Sequence, residues 1–222
     1  NRSDCTVVRG VGASAGGLEA FQQFLTGLPE GHGMVIILIQ HLDPDHHSLM
    51  PELIAAKTSS PVHSAQDKME VEPGSIYLIP PGFEMEIEDG RLKLQKFESP
   101  RGLRRPIDRF FNSLAKDRGE LGVAIVLSGT GSDGAEGARE VKGAGGLVFV
   151  QDPREAKYDG MPQSVLDQGG ADIVSKANEI VDVVRDYFNL RTGAENEPSD
   201  DGEFLARIIR HVRFRTGHDF SE

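Results

Sequence analysis

The sequence has no tryptophan, one cysteine, few basic residues and no long apolar run. With Cys5 alone, an internal disulfide and a thiolate metal cage are both excluded, and a reducing cytoplasm is the expected compartment. The longest purely apolar stretch, Met34 to Ile39, falls far short of the ~20 residues that cross a bilayer. The N-terminus carries no signal-peptide pattern, so no direct membrane insertion is expected. Lys and Arg number 24 against 35 Asp and Glu, a net charge of −11. That balance argues against nucleic acid as a partner, because counterion release needs clustered cations. What is present is a chain of 222 residues, 38% hydrophobic, with 26 glycines. At roughly 150 residues per domain this is one domain and a fraction. The glycine content fits an α/β fold with tight strand-to-helix turns.

Apolar periodicity divides the chain into alternating elements. Thr6 to Val11 reads as a strand ending in Gly12-Ala13-Ser14-Ala15-Gly16-Gly17, after which Leu18, Phe21, Phe24 and Leu25 repeat with helical spacing. Met34 to Ile39 predicts a strand covered on both faces, as parallel strands are. Gly122 to Leu127 and Leu147 to Val150 predict two more. Helices are expected around Leu49 to Ile54, Ile107 to Lys116, Gly134 to Lys142, Val165-Leu166 and Ile180 to Tyr187. Between Pro61 and Phe97 the rhythm changes. Ile76 to Ile79, Met85 to Ile87 and Leu92 to Leu94 are expected as short antiparallel strands, the last two joined by a turn at Asp89-Gly90. The order predicts the α/β class: a doubly wound, mostly parallel sheet with helices on both faces and a small antiparallel insertion. Residues 1–190 are expected to form this domain. Arg191 to Gly202 has little to bury and reads as a linker, and residues 203–222 read as the start of a following, truncated module.

In such a sheet the loops leaving the carboxyl ends of the strands share one rim, where ligands bind. Ser14 follows the first strand, His41 the second, and Asp133 lies in Gly129-Thr130-Gly131-Ser132-Asp133-Gly134 after the third. A hydroxyl, an imidazole and a carboxylate are the parts of a nucleophilic hydrolase. Serine needs an imidazole to take its proton, and the carboxylate fixes the tautomer of the ring. Gly12-Ala13-Ser14-Ala15-Gly16 also fits the G-x-S-x-G elbow, and amides of the following turn would face a developing oxyanion.

Rival readings use the same residues. Gly129, Gly131 and Gly134, with Asp152 at the end of the next strand, fit a nucleotide-binding turn, which leaves Ser14 and His41 without a role. His41, Asp43, Asp45, His46 and His47 invite a metal, yet their spacing matches no closed-site pattern, so none is assigned. Arg101, Arg104 and Arg105 read either as a solvated run or as contacts to an acidic partner. Met161-Pro162 reads as a helix start or as a border of the substrate cleft.

Taken together, Val11 to Ala20, Gln40-His41, Pro73 to Gly82, Arg105-Pro106-Ile107-Asp108, Leu127 to Gly134 and Gly160-Met161-Pro162 followed by Ala171 resemble the chemotaxis protein-glutamate methylesterase domain. The resemblance runs in order over about residues 6–189. It implies hydrolysis of γ-glutamyl methyl esters on chemoreceptor helices, often with deamidation of glutamines, and no cofactor. It assigns the catalytic serine, histidine and aspartate to Ser14, His41 and Asp133. Oxyanion donors are expected near Ala15 and Thr130, with Met161 and Arg105 as substrate contacts. Two positions depart from the pattern: Ala15, where the family often has a hydroxyl residue, and Thr130, where a methionine is common. Phe214-Arg215-Thr216-Gly217-His218-Asp219-Phe220 resembles the opening helix of the opposing chemotaxis methyltransferase, which implies a fusion of the two activities. A non-catalytic module that docks a receptor is the different-class alternative.

Overall fold

The computed structural model describes residues 7–40, 49–97 and 104–192. His41, with the rest of the 41–48 segment, Arg101 and the proposed module at 203–222 lie outside the described residues. A central sheet has the strand order β3-β4-β2-β1-β7-β8-β9, and every pairing in it is parallel. In chain order these strands are β1 (Val8–Ala13), β2 (Val35–Gln40), β3 (Val62–Ser64), β4 (Ile76–Leu78), β7 (Gly122–Val126), β8 (Leu147–Gln151) and β9 (Ile173–Ser175). The chain winds from β1 through β2 toward β3 on one side, then returns to β7 and winds toward β9 on the other. The switch in direction falls between β1 and β7, where open parallel sheets bind ligands. The three strands preceding Ser14, His41 and Asp133 are adjacent at this point.

Strand alternation explains the two-layer core. Along β2, Val35, Ile37 and Ile39 point to one face while Ile36 and Leu38 point to the other, and all five are buried. One face packs on helices α1 (Gly17–Thr26), α2 (Met50–Ala55) and α6 (Ile180–Thr192), through Phe21, Phe24, Ile54 and Val184. The other packs on α3 (Pro106–Arg118), α4 (Ala135–Gly143) and α5 (Gly160–Asp167), through Ile107, Phe110, Val141 and Val165. The hairpin β5 (Phe83–Glu88) and β6 (Arg91–Lys96) forms the small antiparallel sheet and adds Met85, Ile87 and Leu92 to this second layer. Its turn places Asp89 at φ 50° and Gly90 at φ 71°, the left-handed pair that matches strand twist.

One expectation is corrected. Ile76–Leu78 is not part of the antiparallel insertion; it pairs parallel with both β2 and β3. Burial of all three of its residues marks it as an inner strand of the main sheet, whereas the hairpin stands apart over α3.

Helix α3 lies unusually close to its neighbours. A Cβ at Gly10 would stand 2.9 Å from the Phe110 ring, and one at Gly12 would stand 2.5 Å from Ile107 Cγ2. On α4, a Cβ at Gly137 would approach the Asp108 carbonyl oxygen to 2.8 Å and Phe111 Cβ to 2.6 Å. Alanine at a helical position gains up to about 1 kcal/mol over glycine, but here the obstacle is backbone, which cannot swing away. Gly137→Ala is therefore expected to lower stability by about 1–3 kcal/mol in urea unfolding.

Candidate active site

Ser14 sits directly after β1, on a turn built from short contacts. Its amide donates to the Ser128 carbonyl at 3.0 Å, and its own carbonyl accepts from the Gly17 amide at 2.9 Å and from Gln40 Nε2 at 3.2 Å. Gly16 has φ 71°, a conformation that disfavours a side chain. A Cβ there would also stand 3.0 Å from Ser128 Oγ. Both glycines of the elbow pattern thus have a physical reason: Gly12 admits Ile107, and Gly16 makes the turn. Ser14, Ala15 and Gly16 are half-buried at the rim.

The loop after β7 approaches from the other side. Ser128 is buried; its amide donates to Gln151 Oε1 at 2.8 Å, while its hydroxyl donates to the Ala15 carbonyl at 3.0 Å and accepts from the Tyr158 amide at 3.1 Å. Gly129 follows, its carbonyl accepting from the Met161 amide at 2.8 Å. A Cβ on Gly129 would lie 3.0 Å from Ser14 Cβ and 2.1 Å from Met161 Sδ. Met161 is fully buried and floors this junction beneath Gly129. Thr130 is exposed on the loop above, and its amide, like that of Ala15, has no acceptor among the described residues.

Asp133 is buried where α3 and α4 meet. Its Oδ2 accepts from the Ile107 amide at 3.1 Å and its Oδ1 from the Asp108 amide at 2.9 Å, so it caps α3. Asp108 returns the arrangement, its Oδ1 accepting from the amides of Gly134 at 2.9 Å and Gly137 at 2.8 Å at the start of α4. Burial pushes the Asp108 carboxyl above its usual range. The Asp133 charge adds to the rise, while the Gly137 amide and Arg105 oppose it. Arg105 Nη1 lies 3.2 Å from Asp108 Oδ2 and 3.3 Å from Ser132 Oγ, with its side chain largely in solvent.

The structure thus brings Ser14, Ala15, Thr130 and Met161 to one junction, and sets Asp133 and Arg105 at the far end of the same loop. His41 lies outside the described residues, but β2 delivers the chain to it at Gln40, whose register partner is Ala13 and whose side chain is bonded to Ser14. Sequence reasoning missed Gln40, Ser128 and Asp108 as structural members of the site. Only Asp108 carried a signal: an acid in the first turn of a helix that starts with proline. The nucleotide reading finds little support. Asp152 is paired with Arg154, whose guanidinium holds the carboxyl below its usual range, and the α4 amides a phosphate would need are bonded to Asp108.

Gly129→Ala tests the junction. The new methyl collides with buried Met161 and crowds Ser14 Cβ, so the junction must repack around the serine. Labelling of Ser14 by a fluorophosphonate is expected to slow on the order of tenfold, since small misplacements of a reacting group cost rate steeply. Labelling at the wild-type rate would show that this contact does not constrain the serine.

Comparison with known proteins identifies relatives of the whole domain. Residues 9–184 match the family model described as CheB methylesterase. The chain is 29% identical over 174 residues to the protein-glutamate methylesterase/protein-glutamine glutaminase of Thermotoga maritima, a match covering 77% of this chain and 51% of that protein. It is 40% identical over 159 residues, 69% of this chain, to an uncharacterised 104.1 kDa protein of Rhodobacter capsulatus, of which the match spans 17%. The chain therefore spans about half or less of these relatives. The crystal structure of the Thermotoga maritima CheB methylesterase catalytic domain superposes with a TM-score of 0.75 at 27% identity, covering 82% of this chain and 98% of that domain. A sheet that switches direction beside a serine elbow and a family match over most of its length lead to one conclusion: the chain belongs to the CheB methylesterase family.

Proposed function

We propose that this chain is a serine hydrolase that removes γ-glutamyl methyl esters from chemoreceptor-like proteins in bacterial chemosensory signalling, and that it also deamidates glutamines. The observation that carries the proposal is the junction of the Ser14 elbow with the loop holding Asp133, both on strands that adjoin the exit of β2 toward His41.

His41 Nε2 or Nδ1 takes the Ser14 proton as Oγ bonds to the ester carbonyl carbon, and the carbonyl becomes an oxyanion. The amides of Ala15 and Thr130 are the candidate donors to it, and Thr130 supplies an amide as well as any other residue would. Collapse breaks the carbon–methoxy bond, and the imidazolium returns the proton to give methanol and an acyl-serine. Water then attacks, losing a proton to His41, and the intermediate releases the free γ-carboxylate as Ser14 regains its hydrogen. For glutamine the leaving group is ammonia. Asp133 orients the imidazole. Each carboxylate oxygen accepts more than one hydrogen bond, so its capping of α3 is compatible with this role.

Arg105, half in solvent beside Ser132, is suited to meet an acidic receptor surface, while Met161 supports the floor. No described helix is long and apolar enough to cross a membrane; the cytoplasmic location proposed for the enzyme follows from its chemoreceptor-like substrate and its single cysteine. The resemblance of residues 203–222 to a methyltransferase opening supports a fused methyltransferase as partner.

Ser14→Ala is expected to abolish methanol release from a methylated receptor fragment, a fall on the order of 10³-fold or more, with the thermal midpoint unchanged. His41→Gln is expected to be comparably severe. Turnover surviving in Ser14→Ala would overturn the nucleophile, and receptor binding without turnover by the intact chain would favour a docking module.

A further inference from the structure

Two helices begin side by side at the rim, and each is capped by a carboxylate belonging to the other's start. Asp133 accepts from the first amides of α3, and Asp108, in the first turn of α3, accepts from Gly134 and Gly137 at the start of α4. Gly134 is held at φ 94°, with Ile107 Cγ2 2.8 Å from where its Cβ would be, so the turn carrying Asp133 is clamped against α3. Asp108 is buried. A buried carboxylate beside another is an expensive choice for capping alone, because Ser, Thr or Asn caps a helix without the second charge.

We propose that Asp108 is a positioning residue for the reaction: its Oδ1, gripping the Gly134 and Gly137 amides, fixes the turn from which Asp133 is presented. The proposal rests on the esterase reading and extends it to a residue with no contact to substrate. Losing the grip lets the turn shift by tenths of an ångström to an ångström, enough to misalign the carboxylate while the hydrophobic layer beneath keeps the fold. The interaction depends on an acceptor at Oδ1. Arg105 binds the other oxygen, so an amide in place of the carboxylate retains the Oδ1 grip, gives up the Arg105 partner and relieves the charge facing Asp133.

The test uses the full chain with Asp108→Ala and Asp108→Asn, read by methanol release and by amide hydrogen exchange at Gly134 and Gly137. Asp108→Ala is expected to lower kcat ten- to a hundredfold, on the order of a displaced catalytic group, with KM within about threefold. Asp108→Asn is expected to recover most of kcat. Exchange at both glycines should accelerate in the alanine variant and stay near wild type in the asparagine variant. A folded Asp108→Ala protein with wild-type kcat, or with protected glycines, overturns the proposal. So does an asparagine variant as slow as the alanine one. If Asp108→Ala does not fold, Asp108→Glu replaces it: the carboxylate is moved by one methylene, kcat is expected to fall at constant KM, and wild-type kcat overturns the assignment. A wild-type chain that releases no methanol would sink the esterase reading and the catalytic half of this one together. Unprotected glycines in an active wild type would sink this one alone.

Discussion

The close approach of α3 to β1 and α4 is the constraint on which the rim depends. Gly10 and Gly12 leave a side-chain-free strip along β1, and Ile107 and Phe110 settle into it; Gly137 lets α4 cross over Asp108. Each buried large side chain in this layer contributes about 1.5–3 kcal/mol, whereas a helix cap contributes about 1 kcal/mol. Packing therefore decides where α3 sits, and the carboxylate caps report that position to the loop. Hydrogen bonds of 2.8 to 3.1 Å tolerate only small displacement. An added methyl at the glycine seam would accordingly be felt at Asp133 before it unfolded the domain.

Behind Ser14 the ordering is polar. Ser128 bonds the elbow through the Ala15 carbonyl and the adjoining turn through the Tyr158 amide. Its own amide rests on Gln151, whose Nε2 donates to Glu155 at 3.3 Å. Ser128 and Gln151 are buried and the bonds reaching out from them are partly so, and an unmade buried hydrogen bond costs about 1–3 kcal/mol. Lys157 and Glu19 also link the two segments, at 3.3 Å, but both are mostly in solvent, where such pairs contribute about 0–1 kcal/mol. The buried hydroxyl, and not the visible ion pair, fixes the elbow.

Much of this could be read from the sequence because it is periodic or punctuated. The continuous apolar run of β2, the i, i+3, i+4 spacing of Ile107, Phe110 and Phe111, and the Asp89-Gly90 turn each have one physical meaning. Strand order was legible as well: β2, β1 and β7, the strands that precede residues 41, 14 and 133, are neighbours in the sheet. Strands of three residues were harder. Val62–Ser64 is half exposed and Ile173–Ser175 is short, so neither stands out, and nothing in Ile76–Leu78 records which way its neighbours run. The reciprocal caps were invisible for another reason. Asp108 and Asp133 are 25 residues apart in the pairing of one amide with the other's carboxylate, and local pattern cannot encode such a contact.

Glycine motifs alone do not separate a phosphate site from a hydrolase rim. Both use a strand, a tight turn and the start of a helix, and both aim unpaired amides at the space above the sheet. The distinction lies in what those amides hold. At α4 the Gly134 and Gly137 amides are held by Asp108, so that helix start is closed to an anionic ligand, and its partial positive charge is used internally. At the elbow the Ala15 amide has no acceptor among the described residues, and neither has the Thr130 amide at the near end of the β7 loop that faces it. One turn has been sealed by a carboxylate from the neighbouring helix while the other faces the rim beside a serine. This division of labour between two similar turns, more than the glycines themselves, favours acyl chemistry at Ser14 over nucleotide binding at the β7 loop.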